Sequence, residues 1–202
     1  MRADRHRWNL KFSQRHKSAP EPSPLLQEYY TLTQGHVALD LATGLGRNAQ
    51  FLASKGFQVM AVDISDLAMT ELKALKQQAV QPVQIDLDLF RPKPASFDLV
   101  ASFKFLDRRL CPYIKETLKP GGVLIFESNL EAPGLQKQQT QDYNHYNDKQ
   151  KDQPLNRDFL LRSNELLHLF LDLHIVYYAE TIALNELSGR QEILARMVAL
   201  KQ

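Results

Sequence analysis

Short apolar runs alternate along this chain with stretches whose apolar residues recur at helical spacing. The first clear run, residues 37–41, has the sequence Val-Ala-Leu-Asp-Leu and predicts a buried strand. Gly44 and Gly46 interrupt the pattern, and residues 48–55 then predict a helix that ends at Gly56. A strand, a glycine turn and a helix therefore follow one another directly.

The same alternation continues as far as residue 127. Further strands are predicted at residues 57–62, 83–87, 97–103 and 123–127, and further helices at residues 65–77 and 107–118. Ser65 suits the N-cap of the first of these helices, because its hydroxyl can accept a hydrogen bond from a free backbone N–H. Residues 119–122 predict a turn into the last strand. This alternation predicts a parallel, doubly wound sheet with right-handed crossovers.

The pattern changes after residue 130. Residues 131–157 are rich in Gln, Asn, Asp and Lys without an apolar period, and they predict a polar loop that is either a lid or without fixed structure. Residues 163–171 predict a helix. Residues 174–178 and 192–200 predict two strands joined by a turn at 185–189, which favours an antiparallel hairpin at the sheet edge. The fold class is therefore α/β, Rossmann-like and doubly wound, with a mostly parallel seven-stranded sheet.

Length and composition are those of an ordinary globular domain. The 202 residues are 44% hydrophobic and 24% charged, so we expect one domain over 1–202, with 1–35 as an N-terminal segment that includes a helix at 25–33. Cys111 is the single cysteine, which excludes an intrachain disulfide and favours a small core residue. No apolar run reaches the ~20 residues that span a bilayer, and we expect a cytoplasmic protein without a membrane partner.

The positive charge is concentrated at the N-terminus. Six of the 25 Lys and Arg residues lie within residues 1–17, against one of the 23 Asp and Glu residues. The rest of the chain is mildly acidic, which argues against the broad basic face that nucleic-acid binding requires. We therefore expect no nucleic-acid partner.

The densest chemistry lies in residues 40–49, Asp-Leu-Ala-Thr-Gly-Leu-Gly-Arg-Asn-Ala. From Gly44 onward this segment matches G-x-G-x-x-A between a strand and a helix, which is the context of a nucleotide-binding loop. The helix N-terminus offers free N–H groups to an anion. Asp63 ends the next strand, where its carboxylate can accept hydrogen bonds from ribose hydroxyls. This pattern alone describes NAD enzymes equally well.

Two further acids separate the alternatives. Asp40 precedes the glycine turn, where it would repel the pyrophosphate of a dinucleotide. S-adenosylmethionine has no phosphate and carries an ammonium and a sulfonium, both of which an acid favours. Asp86 follows the third predicted strand and can accept from an adenine amino group. Together with Asp63, these acids line the carboxyl ends of three successive strands, which favours S-adenosylmethionine.

The segment Asp-Leu-Ala-Thr-Gly-Leu-Gly-Arg-Asn at 40–48, with Val-Asp-Ile-Ser at 62–65, resembles the class I S-adenosylmethionine-dependent methyltransferases. It is most similar to their small tellurite-resistance and thiopurine-type branch. Supporting segments follow in the order of that family at residues 8–9, 84–86, 97–100, 118–124 and 159–167. The resemblance covers nearly the whole chain and weakens across residues 131–156.

The resemblance implies a set of residues around the cofactor. Residues 40–46 would surround its methionine part, Asp63 its ribose, Asp86 and Leu87 its adenine, and the residues that leave the fourth strand its sulfonium. Thr43 replaces the more common Cys or Gly of the family. The full set is Trp8, Asp40, Ala42, Thr43, Gly44, Gly46, Arg47, Asn48, Asp63, Ile64, Asp86, Leu87, Ser102 and Phe103.

The sequence contains fewer features that indicate the methyl acceptor. Methyltransferases that act on nucleobase amino groups carry an Asn/Asp-Pro-Pro-aromatic motif after the fourth strand, where residues 102–105 have Ser-Phe-Lys-Phe. We therefore expect a small-molecule acceptor, such as a thiol or a chalcogen oxyanion. His145 is a possible general base and Arg157 and Arg162 possible anion ligands, but ordinary surface roles account for all three.

No side chain is predicted to be catalytic, and the histidines show no metal-ligand spacing. Two alternatives stay open. The first is an NAD(P)-dependent oxidoreductase, although no Tyr-x-x-x-Lys pair is found in the relevant region. The second is a non-catalytic metabolite-binding module of the same fold. The oligomeric state is also open.

Overall fold

The computed structural model describes residues 2–14, 21–131, 159–184 and 191–202, and their centre is one seven-stranded sheet. Its strands are β1 (Val37–Leu41), β2 (Gln58–Asp63), β3 (Val80–Gln84), β4 (Phe97–Phe103), β5 (Leu118–Asn129), β6 (His174–Leu184) and β7 (Gln191–Leu200). Each strand predicted from the apolar runs is present, with shifted ends in several cases.

Six α-helices surround this sheet in the described ranges. They are α1 (Arg2–Ser13), α2 (Pro24–Tyr29), α3 (Arg47–Ser54), α4 (Asp66–Ala74), α5 (Cys111–Thr117) and α6 (Glu165–Leu169). One-turn 3₁₀ helices extend α2 over Tyr30–Leu32 and precede α5 over Arg108–Leu110. Ser65 caps α4 as predicted, since its hydroxyl accepts a hydrogen bond from Ala68 N at 3.1 Å.

The strand order is β3-β2-β1-β4-β5-β7-β6. Neighbouring strands from β3 to β5 pair in parallel, while β7 pairs antiparallel with both β5 and β6. This arrangement confirms the mostly parallel, doubly wound sheet and the antiparallel hairpin at its edge. It also puts the carboxyl ends of β1, β2, β4 and β5 along one edge of the sheet.

The two faces of the sheet have separate cores. On one face, side chains such as Ala38, Ala101 and Ile125 pack beneath apolar residues of α1 to α4. On the other face, side chains such as Leu39 and Phe126 pack against α5, α6 and residues 87–90. Because successive side chains of a strand point to opposite faces, residues on the helix α3 side alternate with residues on the α5 side.

The third strand is a correction to the sequence analysis. It was predicted at residues 83–87, but β3 ends at Gln84 and begins at Val80. Pro82 lies inside this strand, which is tolerated because β3 is at the edge of the sheet. Leu87 instead turns into the core on the α5 side. Of the predicted run, Val83 and Gln84 lie in β3, while Leu87 belongs to a turn that packs under the sheet.

Two other strands are longer than predicted. Residues 119–122 were predicted as a turn, but they lie within β5, where Gly121 has a φ of 75° and the pairing with β4 shifts register between Phe97 and Leu99. A bulge of this kind keeps the strand continuous while it bends. β6 extends to Leu184, six residues beyond its predicted end at 178.

Several predictions lie outside the described residues. Nearly all of the polar loop 131–157 does, together with His145, Arg157 and the turn at 185–189. Within the described ranges, no helix is both long enough and apolar enough to cross a bilayer.

Candidate cofactor site and acceptor edge

The candidate site lies where β1 and β4 are neighbours although β2 and β3 intervene in sequence. From β1 the chain crosses over to β2 and then to β3 on one side of β1, and β4 lies on the other side of β1. This reversal opens a crevice at the carboxyl ends of the strands, which is where ligands bind in open α/β sheets. The loop after β1 forms its floor.

That loop, residues 42–46, has an unusual backbone. Ala42, Gly44 and Gly46 all have left-handed conformations, with φ values of 51°, 56° and 80°. The left-handed region is open to glycine but costly for alanine, so Ala42 stores backbone strain at the crevice. Thr43 N donates a 3.0 Å hydrogen bond to Val62 O and so fixes the loop to β2.

The two glycines are required by close neighbours as well as by their backbone angles. A Cβ atom on Gly44 would lie 3.2 Å from the Phe12 ring, and one on Gly46 would lie 2.5 Å from Leu72 Cδ1. The contact at Gly46 is with α4, so this glycine allows close packing of that helix against the loop.

Asp40 is almost completely buried beneath the loop, with 1% of its surface exposed. Its Oδ2 accepts a hydrogen bond from the Thr43 hydroxyl. Burial raises the pKa of Asp40 to about 7, and the Thr43 hydrogen bond and the nearby Arg47 guanidinium offset only part of this rise. The site therefore contains an acid that lacks a hydrogen-bonded cation among the described residues.

Asp63 joins the glycine loop to α4. Its Oδ2 accepts from Gly44 N and its Oδ1 from Ser65 N, both at 2.9 Å. Burial raises the pKa of Asp63, while these backbone hydrogen bonds act in the opposite direction. Each carboxylate oxygen has a second lone pair, so two further hydrogen bonds remain available.

Helix α1 packs against this part of the site. Trp8 stacks on Phe12 with ring centroids 5.7 Å apart, and Phe12 in turn contacts Gly44. Asn9 holds the helix in place, because it accepts a 2.6 Å hydrogen bond from the Ser65 hydroxyl and donates one to Asp66. The structure thus brings the predicted residue Trp8 to the glycine loop.

Arg47 and Asn48 make contacts that the sequence analysis did not foresee. Arg47 Nη1 donates to Glu21 O at 2.9 Å, and Asn48 Oδ1 accepts from Ser23 N at 3.0 Å. Both side chains therefore tie the segment before α2 to the start of α3. Their described contacts are structural.

The predicted site residues that follow β2 and β3 differ in how deeply they are buried. Ile64 is half-buried beside Asp63, and Asp86 is also half-buried, with Oδ1 accepting from Asp88 N at 3.1 Å. Leu87 is 7% exposed and packs in the core on the α5 side. Asp86 is therefore near the predicted edge, but it lies two residues beyond the end of β3.

Ser102 and Phe103 end β4. Ser102 is fully buried and its hydroxyl has no hydrogen-bond partner among the described residues. Phe103 is 8% exposed on the opposite face, in the core under α1 to α4. An unpaired buried hydroxyl costs free energy unless another group satisfies it, so Ser102 marks a position where a ligand atom is expected.

A cluster of charged side chains, which the sequence analysis missed, lies along the same edge. Glu127 of β5 is 5% exposed, and its Oε2 accepts from Arg196 Nε of β7 at 2.9 Å. Lys104, directly after β4, pairs with Glu192 at the start of β7. We call Lys104, Glu127, Glu192 and Arg196 the acceptor-edge cluster. An acid within the apolar sequence Val-Leu-Ile-Phe-Glu was the available signal.

Comparison with known proteins identifies this architecture. Residues 38–122 match the family model described as a methyltransferase domain. The match confirms the resemblance that the glycine loop and the strand pattern carried. It covers every element from β1 to the bulge of β5, including the loop at residues 42–46.

Solved structures share the fold across nearly the whole chain. TehB from Haemophilus influenzae is 19% identical, with a TM-score of 0.71 over 96% of this chain and 67% of that one. An S-adenosylmethionine-dependent methyltransferase from Methanosarcina mazei is also 19% identical, with a TM-score of 0.69 over 90% and 99%. The chain therefore shares the fold of these two solved structures.

One curated relative is similar in sequence. Ribosomal RNA small subunit methyltransferase C of Alcanivorax borkumensis is 31% identical in an alignment of 135 positions. The alignment covers 60% of this chain and 42% of the relative. The chain thus spans about two fifths of that protein's length.

The residues around the glycine loop fit S-adenosylmethionine. Asp40 supplies a buried acid for a cationic ligand, and Ser102 supplies an unpaired hydroxyl. Asp63 retains free lone pairs beside the loop. The loop itself carries no basic side chain before Arg47, which suits a ligand without phosphate.

Metal and thiol chemistry find no support in the described part of the chain. No group of three or more His, Cys, Asp or Glu side chains there is arranged to hold a metal ion. His168 Nδ1 lies 2.7 Å from Asn164 O, a local contact within one helical turn. Cys111 is 2% exposed, and burial raises the pKa of its thiol to about 12, so it is a core residue.

Proposed function

We propose that this protein binds S-adenosylmethionine and transfers its methyl group to a small molecule, such as a thiol or a chalcogen oxyanion. The observation that carries the proposal is Asp40, an acid with 1% exposure at the glycine loop and without a hydrogen-bonded cation in the described residues. A buried charge is stabilised by an opposite charge, and the ammonium of this cofactor supplies one.

The chain contributes binding and orientation. Asp40 with residues 42–46 receives the methionine part, while the free lone pairs of Asp63 receive the ribose hydroxyls. We assign the adenine amino group to the half-buried Asp86. We assign the sulfonium to the neighbourhood of Ser102, whose hydroxyl is unpaired in the described residues. The cofactor supplies an activated methyl group, and the protein holds the acceptor in line with it in a dry pocket.

A ribosomal RNA acceptor is the second candidate. It is favoured by the name of the curated relative and by the basic side chains of α1. Against it stand Ser102 to Phe105 in place of an Asn/Asp-Pro-Pro-aromatic motif and the mildly acidic remainder of the chain. We therefore place a small molecule first.

Calorimetric titration tests the cofactor. S-adenosylhomocysteine, NAD and NADP are titrated into the wild type, Asp63→Asn and Asp98→Asn. Asp98 is a matched control, because it is a partly buried carboxylate paired with Lys119 at 3.0 Å on the opposite edge of the sheet. We expect micromolar binding of S-adenosylhomocysteine alone, weakened by Asp63→Asn and unchanged by Asp98→Asn.

Preference for a dinucleotide, or no binding of S-adenosylhomocysteine, would overturn the cofactor assignment. Methyl transfer to thiols, tellurite and purified small-subunit ribosomal RNA then separates the acceptor classes. Incorporation into RNA alone would replace the small-molecule proposal with the second candidate. Binding of S-adenosylhomocysteine without transfer to any acceptor would favour a non-catalytic binding module.

A further inference from the structure

Glu127 shares its face and its edge of the sheet with Asp40. In the register of β1, β4, β5 and β7, Asp40 pairs with Ala101, and two residues further along Phe103 pairs with Glu127, which pairs with Arg196. From β1 to β5 there are two strand spacings, and Glu127 lies two residues further along the strand direction than Asp40. The Cα atoms of Asp40 and Glu127 are therefore about 12 Å apart. Glu127 therefore borders the crevice on the side away from Asp63.

The two oxygens of Glu127 have different surroundings. Oε2 accepts a hydrogen bond from Arg196 Nε at 2.9 Å, and Arg196 is itself held by the Thr181 hydroxyl at 3.3 Å. Oε1 accepts no hydrogen bond from the described residues, and Lys104 Nζ is 3.9 Å away. The side chain is only 7% exposed, so a carboxylate oxygen without a hydrogen bond from the described residues is held at the edge.

Lys104 is held away from that oxygen. It follows β4 in a left-handed conformation with a φ of 58°, and its backbone N–H donates to Glu127 O at 2.7 Å. Its ammonium donates to Glu192 and, at 3.2 Å, to Asn129. Backbone strain of this kind in a non-glycine residue is typical of functional sites, where packing imposes it.

The charges of the acceptor-edge cluster balance. Arg196 is paired with Glu127 and Lys104 with Glu192, so two cations face two carboxylates. An anion would find both cations engaged and two acids beside it. A group with a proton to donate would find the Oε1 atom of Glu127. The cluster therefore favours a neutral, protic acceptor over an oxyanion.

We propose that Glu127 contacts the methyl acceptor and takes the proton from its nucleophilic atom. The acceptor is then a small molecule with an S–H, O–H or N–H group at that atom. As the proton passes to Oε1, the lone pair left on the nucleophile forms the bond to the methyl carbon. The carbon–sulfur bond of the donor breaks, and its electron pair stays on sulfur. This inference rests on the proposed function and narrows its acceptor class.

The test compares Glu127→Gln and Glu127→Ala with the wild type and with Asp98→Asn, the paired carboxylate of the opposite edge. The probes are thiophenol, phenol, aniline and tellurite, each with radiolabelled S-adenosylmethionine. Thermal unfolding and affinity for S-adenosylhomocysteine report whether each variant is folded and binds the cofactor. Turnover of the reactive probe is measured from pH 5.5 to 9, with and without added formate.

We expect turnover of at least one protic probe and a fall in kcat of about 100-fold in Glu127→Gln, within the range of general base catalysis. Affinity for S-adenosylhomocysteine should be unchanged. Formate should restore part of the activity of Glu127→Ala by occupying the vacated space, which a purely structural role would not produce.

Three results would overturn the inference. In the first, tellurite is methylated and none of the protic probes is. In the second, the activity of Glu127→Gln is within threefold of the wild type. In the third, S-adenosylhomocysteine binds but no protic probe reacts. Failure of the wild type to bind S-adenosylhomocysteine is a different result, since it would overturn the proposed function.

Discussion

The hydroxyl of Thr43 donates a hydrogen bond to Asp40, three residues earlier in the chain. The bond closes the loop after β1 on itself, and it is the one hydrogen bond that a side chain in the described residues gives to this buried acid. A family member with Cys or Gly at position 43 would lack a donor of this strength. Thr43 therefore helps to stabilise the ionised form of the buried Asp40 carboxylate, which has no salt bridge to a described residue.

Cofactor affinity should depend on pH through Asp40. Burial raises its pKa to about 7, so below pH 7 the carboxyl is largely protonated and does not attract an ammonium. We expect the dissociation constant for S-adenosylhomocysteine to rise by up to about tenfold per pH unit below 7 and to level off above it. Calorimetry between pH 5.5 and 8 in two buffers should also show that binding releases protons.

Asp40→Asn is the comparison for this pH dependence. The variant keeps the size of the side chain and a hydrogen-bond partner for Thr43, but it does not titrate. Its affinity should be low throughout and should vary little with pH. An equally steep pH dependence in Asp40→Asn would assign the effect to another group.

The stability of the free protein should depend on Asp40 in the opposite sense. The folded pKa of about 7 exceeds the unfolded value of 3.8, so the folded state binds more protons between these values. The contribution of Asp40 to the free energy of unfolding therefore falls as pH rises from 4 to 7. Asp40→Asn should gain stability relative to wild type between pH 5 and pH 8 in urea unfolding, by about 1.4 kcal/mol per pKa unit at most.

Gly46→Ala should be strongly destabilising. The new Cβ would lie 2.5 Å from Leu72 Cδ1, and the residue has a φ of 80°. Overpacking of a core costs about 1–3 kcal/mol, and the left-handed backbone adds about 1–2 kcal/mol. Urea unfolding measures the sum as a lower midpoint.

Gly121→Ala provides the control for that substitution. Gly121 also has a left-handed backbone, with a φ of 75°, but nothing lies within 4 Å of its added Cβ. We expect a loss of only about 1–2 kcal/mol, from the backbone alone. Equal losses at the two glycines would show that the Leu72 contact relaxes without cost.

Asn9→Ala should release α1 from the site. The side chain accepts from the Ser65 hydroxyl and donates to Asp66, so its removal breaks the two hydrogen bonds that join α1 to the start of α4. We expect faster hydrogen exchange in residues 2–13 and a loss of about 1–2 kcal/mol. Because Phe12 contacts Gly44, S-adenosylhomocysteine should also bind more weakly.

Ser13→Ala is the matched substitution on the same helix. Its hydroxyl donates to Leu10 O, within α1, and no hydrogen bond from it to α4 is found in the described structure. Exchange and cofactor affinity should therefore remain near wild type. The same increase in exchange from both substitutions would mean that Asn9 does not fix the helix.

Local chemistry explains what could be predicted from the residues alone. An apolar run is buried wherever the chain places it, so β1 and β4 were found with the right ends. Gly44 and Gly46 mark a turn because few other residues adopt positive φ, and Ser65 was identified as a cap from its side chain. These features depend on neighbours within a few positions.

The boundaries of β3 and β5 could not be predicted in the same way. Pro82 and Gly121 normally interrupt a strand, and both lie inside one here. An edge position tolerates the first, and a bulge accommodates the second. Both are decided by the neighbouring strand, which sequence patterning does not specify.

The sequence by itself determined the kind of sheet, the glycine loop and the acids Asp40 and Asp63, because each depends on short-range periodicity or on one residue's chemistry. Only the tertiary structure decided that Asn9 meets Ser65, 56 positions away, and that Arg196 meets Glu127, 69 positions away. Strand register sets these contacts, and packing of the whole sheet sets the register. A polar residue therefore acquires its partner only when the complete fold has formed.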